Sequence, residues 1–131
     1  MIPATRYIEA LSARARILDE FADAVFAKAD VLHLPTVAVP APTIEESDVG
    51  DSQALPALLL RLTGLTRPMN YLGLPSLSVP AGFSADGLPV AFQLVGRPFQ
   101  EASLFQLGDA YQQTTDWHRM LPALANEVDP L

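Results

Sequence analysis

The placement of proline is the strongest constraint on how this chain folds. Most of its 12 prolines lie between positions 35 and 98 of the 131 residues. Proline fixes φ at about −65° and has no backbone N–H, so it disfavours helix interiors and central strands. We therefore predict that the middle of the chain is extended and turn-rich, and that it lies between two helical ends.

Apolar residues recur with helical spacing in several segments. The N-terminal segment 3–29 is predicted to be one long helix, because its apolar residues recur at intervals of three and four. These residues are Ile8, Leu11, Ala15, Leu18, Ala22 and Val25. The segment 55–72 is predicted to hold two helices, over 55–65 and 67–72, and 101–117 a C-terminal helix. A lone helix as long as the first needs a partner that covers its apolar stripe.

A β-hairpin is predicted over 76–96. Leu77–Val79 and Val90–Val95 have the composition of strands. Between them lies Asp86-Gly87, a pair typical of a two-residue type I′ turn, in which both residues have positive φ. The second strand is apolar apart from Gln93, as expected for a strand covered on both faces.

Two prolines interrupt this hairpin. Pro80 and Pro89 cannot donate to the ladder, so the pairing near the turn is expected to be loose or bulged. The apolar run 31–34 is predicted to be a further strand, and 36–52 an acidic loop. The order of elements indicates a single layered domain over 1–131, of the α/β or α+β class.

Charge and composition narrow the range of partners. Eight Lys and Arg against 15 Asp and Glu give a net charge of −7, which repels a phosphate backbone, so no nucleic-acid partner is expected. The sequence has no basic amphipathic stretch, no apolar run long enough for a membrane span, and no signal-peptide core in its first residues, so no membrane association is expected. The absence of cysteine excludes disulfides and thiolate sites, and a cytoplasmic location is the default expectation.

The residue types needed for catalysis do not form a set in this sequence. Ser76 and Ser78 share one face of a predicted strand. We interpret them as small polar residues that pack on the strand, and the alternative is that one of them is a nucleophile. Lys28 lies at a helix end, where lysine is usually solvated. His33 and His118 have no companions at metal-ligand spacing. The acids of the predicted loop lack the pattern of a calcium site. They are Glu45, Glu46, Asp48 and Asp51. We predict no catalytic residue, no metal site and no cofactor.

A long ordered pattern between Thr66 and Glu101 carries a resemblance to a known family. Its pieces are Asn70-Tyr71-Leu72-Gly73-Leu74-Pro75, Ser76-Leu77-Ser78-Val79-Pro80-Ala81-Gly82-Phe83, Asp86-Gly87-Leu88-Pro89-Val90 and Gln93-Leu94-Val95-Gly96-Arg97-Pro98-Phe99. This order resembles the C-terminal part of the amidase signature family. The resemblance implies an α/β fold with a partial mixed sheet and a β-hairpin flanked by helices.

The resemblance also bears on the chemistry. Enzymes of that family cleave amides with two serines and a lysine from regions that this chain does not match, so neither Lys28 nor Ser78 is assigned a catalytic role. Thr66 and Asn70 correspond to a short helix that faces the substrate pocket in relatives. The alternative for Asn70 is that its side chain only ties down the following turn. Gln93 is expected to be a buried amide that satisfies neighbouring backbone groups.

Three functions remain open from the sequence. The first is the C-terminal portion of an amidase, inactive alone, which binds a small amide substrate only with a complementing N-terminal amidase segment. The second is a non-catalytic module that binds a small ligand or a protein, and the third is a structural relic. Uncovered faces and strand edges predict a homo-oligomer or such a complex rather than a monomer.

Overall fold

The computed structural model of the chain describes residues 2–50 and 53–121. The elements in chain order are α1 (Ala4–Phe26), β1 (Leu32–Pro35), α2 (Ile44–Ser47), α3 (Leu55–Thr63), α4 (Arg67–Leu72), β2 (Ser76–Phe83), β3 (Pro89–Val95), α5 (Glu101–Gln112) and a 3₁₀ turn (Trp117–Arg119). Helices flank a β-hairpin, so the predicted α/β class is confirmed. Within these residues, no helix combines the length and apolar character needed to cross a membrane.

Strand β3 is the centre of a three-stranded sheet with the order β1-β3-β2. Leu34 of β1 and Ser78 of β2 lie on either side of Gln93, and both pairings are antiparallel. The strand directions therefore differ from the mixed sheet expected from the sequence, because β1 and β2 run the same way but are separated by β3. The expected bulge is confirmed, since the register shifts between Pro80 and Gly82.

Helices α1 and α4 cover one face of the sheet. Phe26 of α1 and Val95 of β3 are the innermost side chains, with exposed fractions of 2% and 0%. Met69 and Leu72 of α4 and the adjacent Leu74 complete this cluster. Full burial of an apolar side chain of this kind contributes about 1.5–3 kcal/mol. The cluster therefore fixes both helices against the sheet.

Helix α5 covers the opposite face. Its buried Leu104 packs in a cluster with Val79 and Leu94 from two strands. Gly108 lies at this contact, and a Cβ at that position would lie 2.7 Å from Leu77 Cδ2, so a larger residue there would require the Leu77 side chain to move. Helices on both faces explain why the C-terminal half of β3 is buried throughout, as predicted for that strand.

The apolar stripe of α1 is only partly covered. Its second half packs against the first core cluster, through residues that include Leu18. In its first half, Tyr7, Ile8 and Leu11 are 63%, 60% and 48% exposed. The helix ends at Phe26, so Lys28 lies in the exposed turn beyond it and not in the helix. The first turns of α1 thus leave apolar side chains in solvent.

The hairpin turn corrects the sequence prediction. The Ser84 N–H donates to Leu88 O at 2.8 Å, which leaves residues 85–87 as a three-residue loop instead of a two-residue type I′ turn. Gly87 has φ +76°, whereas Asp86 is not among the positive-φ residues. The Ser84 hydroxyl also accepts from the Leu88 N–H at 3.2 Å. This additional bond closes the wider loop, in which only the glycine adopts the left-handed conformation.

The acidic segment 36–52 is not a loop throughout. Thr43 and Glu46 form a reciprocal capping box that starts the one-turn helix α2. The hydrogen bond from the Thr43 N–H, together with the bond to its side chain, holds the pKa of Glu46 below its ordinary value. Asp51 and Ser52 lie outside the described residues.

Two helices are shorter than predicted, and threonine hydroxyls bond to the backbone near both ends. The predicted C-terminal helix 101–117 ends at Gln112, because Thr114 and Thr115 donate to the main-chain oxygen of Tyr111. Helix α3 ends at Thr63 rather than at position 65, and the Thr63 hydroxyl donates to Leu59 O at 2.7 Å.

Candidate functional site

A cavity of about 300 Å³ lies on the sheet face that α4 covers. Its wall is formed by side chains from α4, from the loops beside it and from all three strands or their ends. These residues are Thr36, Thr66, Met69, Asn70, Leu74, Ser76, Ser78 and Gln93. Both residues singled out from the sequence, Thr66 and Asn70, therefore line the same cavity.

Helix α4 positions these two residues. Thr66 and Asn70 are four residues apart, so they lie on the same side of the helix. Pro68 lies in the first turn, where its missing N–H costs nothing, and Gly73 ends the helix with φ +72°. These signals are visible in the sequence, and the predicted helix over 67–72 is confirmed.

The opposite wall of the cavity follows from strand alternation. Ser76 and Ser78 are two residues apart on β2, so they project from one face of the sheet. The Thr36 hydroxyl, just beyond β1, lies 3.1 Å from the Ser78 hydroxyl. Thr36 was missed from the sequence, although it lies two residues after Leu34, a spacing that places both on one strand face.

Gln93 forms the floor between these walls. It is 2% exposed, and its Nε2 donates to Pro35 O at 3.3 Å and to Leu65 O at 3.1 Å. The first bond holds the end of β1, and the second holds the connection that leads into α4. The prediction of a buried amide that satisfies neighbouring backbone is confirmed.

The hydroxyl groups of the cavity have neutral partners. Thr66 donates to Thr63 O at 3.2 Å, and Ser76 donates to Leu74 O at 3.4 Å. Among the described residues that line the cavity there is no acid, lysine or histidine. His33 belongs to the other sheet face, where its ring lies 4.7 Å from that of Phe92. The cavity can hydrogen-bond a polar ligand but holds no group that would accept a proton from a hydroxyl.

Two roles are open for Asn70, which are to face the ligand in the cavity and to tie down the turn after α4. The turn after α4 is closed by the backbone, with the Gly73 N–H donating to the main-chain oxygens of Met69 and Asn70. Within the described residues the Asn70 side chain makes no hydrogen bond, and it is exposed at the cavity. Its amide is therefore free to bind a ligand, and the turn does not depend on it.

No group of three or more His, Cys, Asp or Glu side chains that could hold a metal ion occurs within residues 2–50 and 53–121. The acids Glu45 and Glu46 lie in or beside the capping box of α2, apart from the cavity. The polar groups among the residues that line the cavity are therefore hydroxyls and amides, and they lie beside the apolar Met69 and Leu74.

Comparison with known proteins places these features in a family. The family model described as Amidase matches residues 2–105. A glutamyl-tRNA(Gln) amidotransferase subunit from Chloroflexus aggregans is 44% identical over 119 residues, which cover 91% of this chain and 23% of that protein. The chain thus spans about a quarter of the length of the curated relatives it matches.

Solved structures show the same relationship. The crystal structure of a glutamyl-tRNA(Gln) amidotransferase subunit from Thermotoga maritima matches with a TM-score of 0.68 and 32% identity, over 86% of this chain and 23% of that one. The structure of 6-aminohexanoate cyclic dimer hydrolase complexed with substrate matches with a TM-score of 0.75 and 27% identity, over 92% and 26%.

Proposed function

This chain belongs to the amidase family, and we propose that it supplies one wall of the substrate pocket of an amidase-type hydrolase that cleaves C–N amide bonds. Thr66 and Asn70 are the residues that contact the substrate. The nucleophile and its base come from a complementing N-terminal amidase segment, so the chain is inactive alone. The observation that carries this proposal is a cavity with several hydroxyls and no base.

The chemistry of amide cleavage explains why this observation matters. A serine attacks an amide only when a base takes its proton and donors stabilise the oxyanion. The nearest partner of the Ser78 hydroxyl is the hydroxyl of Thr36, at 3.1 Å. A neutral hydroxyl is far too weak a base for this task, and Lys28 lies in an exposed turn outside the cavity. These contacts support a binding role for the wall, not a reacting one.

The partner we propose is supported by unpaired surfaces. Strands β1 and β2 are both edges of the sheet, so each offers free backbone groups to a further strand. The exposed apolar residues at the start of α1 add a second uncovered surface. The curated relatives have a much longer chain with which to cover such surfaces.

The test is hydrolysis of a simple aryl amide. We expect no turnover above buffer from the chain alone, and equal rates for wild type and Ser78→Ala. When the chain is co-expressed with the rest of the Chloroflexus aggregans protein, we expect amide hydrolysis. Thr66→Val or Asn70→Leu should then lower kcat/KM by about five- to tenfold, the loss expected for one hydrogen bond. Turnover by the isolated chain that Ser78→Ala abolishes would refute the proposal.

A non-catalytic binding module is the second candidate. It is favoured by the free amide of Asn70, which lies at an open cavity without help from another chain. In this case a small neutral carboxamide would shift the Asn70 side-chain NMR signals in the isolated chain, and no segment of a relative would restore hydrolysis. The cytoplasmic location and the absence of nucleic-acid and membrane partners stay predictions.

A further inference from the structure

Phe99 combines two properties that rarely occur together. Its φ is +66°, and it is the one non-glycine residue with positive φ among the described residues. Its side chain is also 94% exposed. A bulky residue in this backbone region is strained. Contacts of the ring with its own chain do not offset this strain, because the ring is almost fully in solvent.

The segments on either side of Phe99 hold the strained conformation in place. The Gln100 N–H donates to Arg97 O at 3.1 Å, which closes a turn with Pro98 at its second position and Phe99 at its third. In a type II turn the third position has positive φ and usually carries glycine. Here the sequence places the largest apolar side chain of the turn at that position.

The turn itself is anchored on both sides. The Arg97 guanidinium donates to the main-chain oxygen of Phe26 and lies 5.3 Å from the centre of its ring. Gln100 leads into α5, whose Leu104 is buried. The backbone at Phe99 therefore cannot relax without disturbing the two cores, and its ring stays on the outside of the turn.

We propose that Phe99 is an anchor residue that inserts into an apolar pocket on the part of an amidase polypeptide that lies outside the region matched by this chain. This inference rests on the proposed function, because it names a contact with the complementing segment. That segment is the preferred occupant because relatives of the same fold are about four times longer than the matched region. Aromatic side chains are enriched in the cores of interfaces, and a backbone that is already fixed before binding reduces the entropy lost on association.

The experiment measures association and stability separately. The chain is titrated onto the immobilised remainder of the Chloroflexus aggregans protein, that is, the part outside the matched 23%. We expect Phe99→Ala and Phe99→Gly to weaken binding at least about tenfold, as for an interface hot spot. The urea midpoint of the isolated chain should be unchanged for Phe99→Ala and unchanged or higher for Phe99→Gly, because glycine adopts positive φ without strain.

Ile44→Ala is the matched control. Ile44 is 90% exposed but has an ordinary helical backbone, so we expect its removal to change binding less than threefold. Equal losses for the Ile44 and Phe99 variants would overturn the distinct role of Phe99. A lower urea midpoint for Phe99→Gly would overturn it too, because the ring would then be stabilising its own chain.

Two further outcomes separate this inference from the function on which it rests. If wild type binds the remainder and the Phe99 variants bind equally well, Phe99 is not the anchor, while the complementation stands. If wild type does not bind a remainder whose circular dichroism spectrum shows that it is folded, the complementation itself is refuted. A change in the mass of the isolated chain on Phe99→Ala would identify a second copy as the occupant and overturn the partner named here.

Discussion

Replacing Gln93 by leucine tests how the floor of the cavity holds its walls together. The two side chains have similar volume, so Gln93→Leu leaves little cavity at a position that is 2% exposed. What it removes is the pair of hydrogen bonds to Pro35 O and Leu65 O. Both carbonyl oxygens lose a donor, while the rest of the packing is kept.

The expected cost is about 2 kcal/mol. A buried acceptor that loses its donor costs about 1–3 kcal/mol. Leu65 is half-buried, so its carbonyl should fall within this range. Pro35 is exposed and its bond is the longer of the two, so water replaces that bond at a cost near or below the lower limit. Since folded domains are stable by only about 5–15 kcal/mol, this loss is readily measured.

The assay is urea unfolding followed by circular dichroism, with Gln113→Leu as the matched control. Gln113 is exposed, and its Nε2 bonds to Asp109 Oδ2 at 2.7 Å on the surface. The same substitution there should change the unfolding free energy by no more than about 0.5 kcal/mol. We expect the midpoint to fall for Gln93→Leu with an unchanged slope, because the surface exposed on unfolding is the same.

Two results would refute this reasoning. One is equal midpoints for the Gln93 and Gln113 variants, which would mean that the two buried bonds contribute nothing. The other concerns Gln93→Glu, whose carboxylate would face two carbonyl oxygens in a buried site, so that its pKa should rise. A raised pKa means that the folded protein binds this proton more tightly than the unfolded chain does. The Gln93→Glu variant should therefore be most stable at low pH and should lose stability as the pH increases through the folded pKa. A Gln93→Glu variant that is less stable relative to wild type at pH 5 than at pH 7 would contradict the geometry.

Three further predictions follow from other parts of the structure. Gly87→Val should cost at least about 1 kcal/mol more than Asp86→Asn, because only position 87 needs positive φ; equal melting temperatures would contradict the three-residue loop. Because the pKa of Glu46 is lowered, the capping box should be intact above the ordinary pKa of 4.5 and should be lost as the pH falls through the lower folded pKa. The amide NMR signal of Thr43 should therefore titrate in that range in wild type and stay fixed in Glu46→Gln. Light scattering should give a mass above 14.1 kDa at concentrations of tens of micromolar, whereas a stable monomer would mean that the exposed α1 residues need no cover.

Local signals in the sequence were enough to predict α4 and its two cavity residues. Pro68 and Gly73 mark the two ends of that helix, and the spacing of Thr66 and Asn70 places both on one side. The resemblance to the amidase family, carried by the pattern from Asn70 to Glu101, is confirmed by the family model over residues 2–105. The role of Thr66 and Asn70 in substrate binding stays a prediction.

Features that depend on distant residues could not be predicted in the same way. The Thr36 and Ser78 hydroxyls are in contact although the two residues are 42 positions apart in the sequence. The sequence around either residue does not indicate this contact. The two-residue turn was wrong because the preference of Asp86-Gly87 is outweighed by the Ser84 bonds to Leu88. The helix 101–117 was too long because helical periodicity does not register that Thr114 and Thr115 bond to the backbone.

The strand order has a consequence for how the chain folds during synthesis. The central strand is the last of the three to leave the ribosome, and Gln93 bonds to a residue 58 positions earlier. A nascent chain that ends before residue 89 therefore carries two edge strands and no strand to pair them. Closing such long loops makes sheet formation late and slow compared with helix formation. Until β3 emerges, β1 and β2 have no partner strand in this sheet, so β1 and the apolar residues of α1 stay accessible to chaperones.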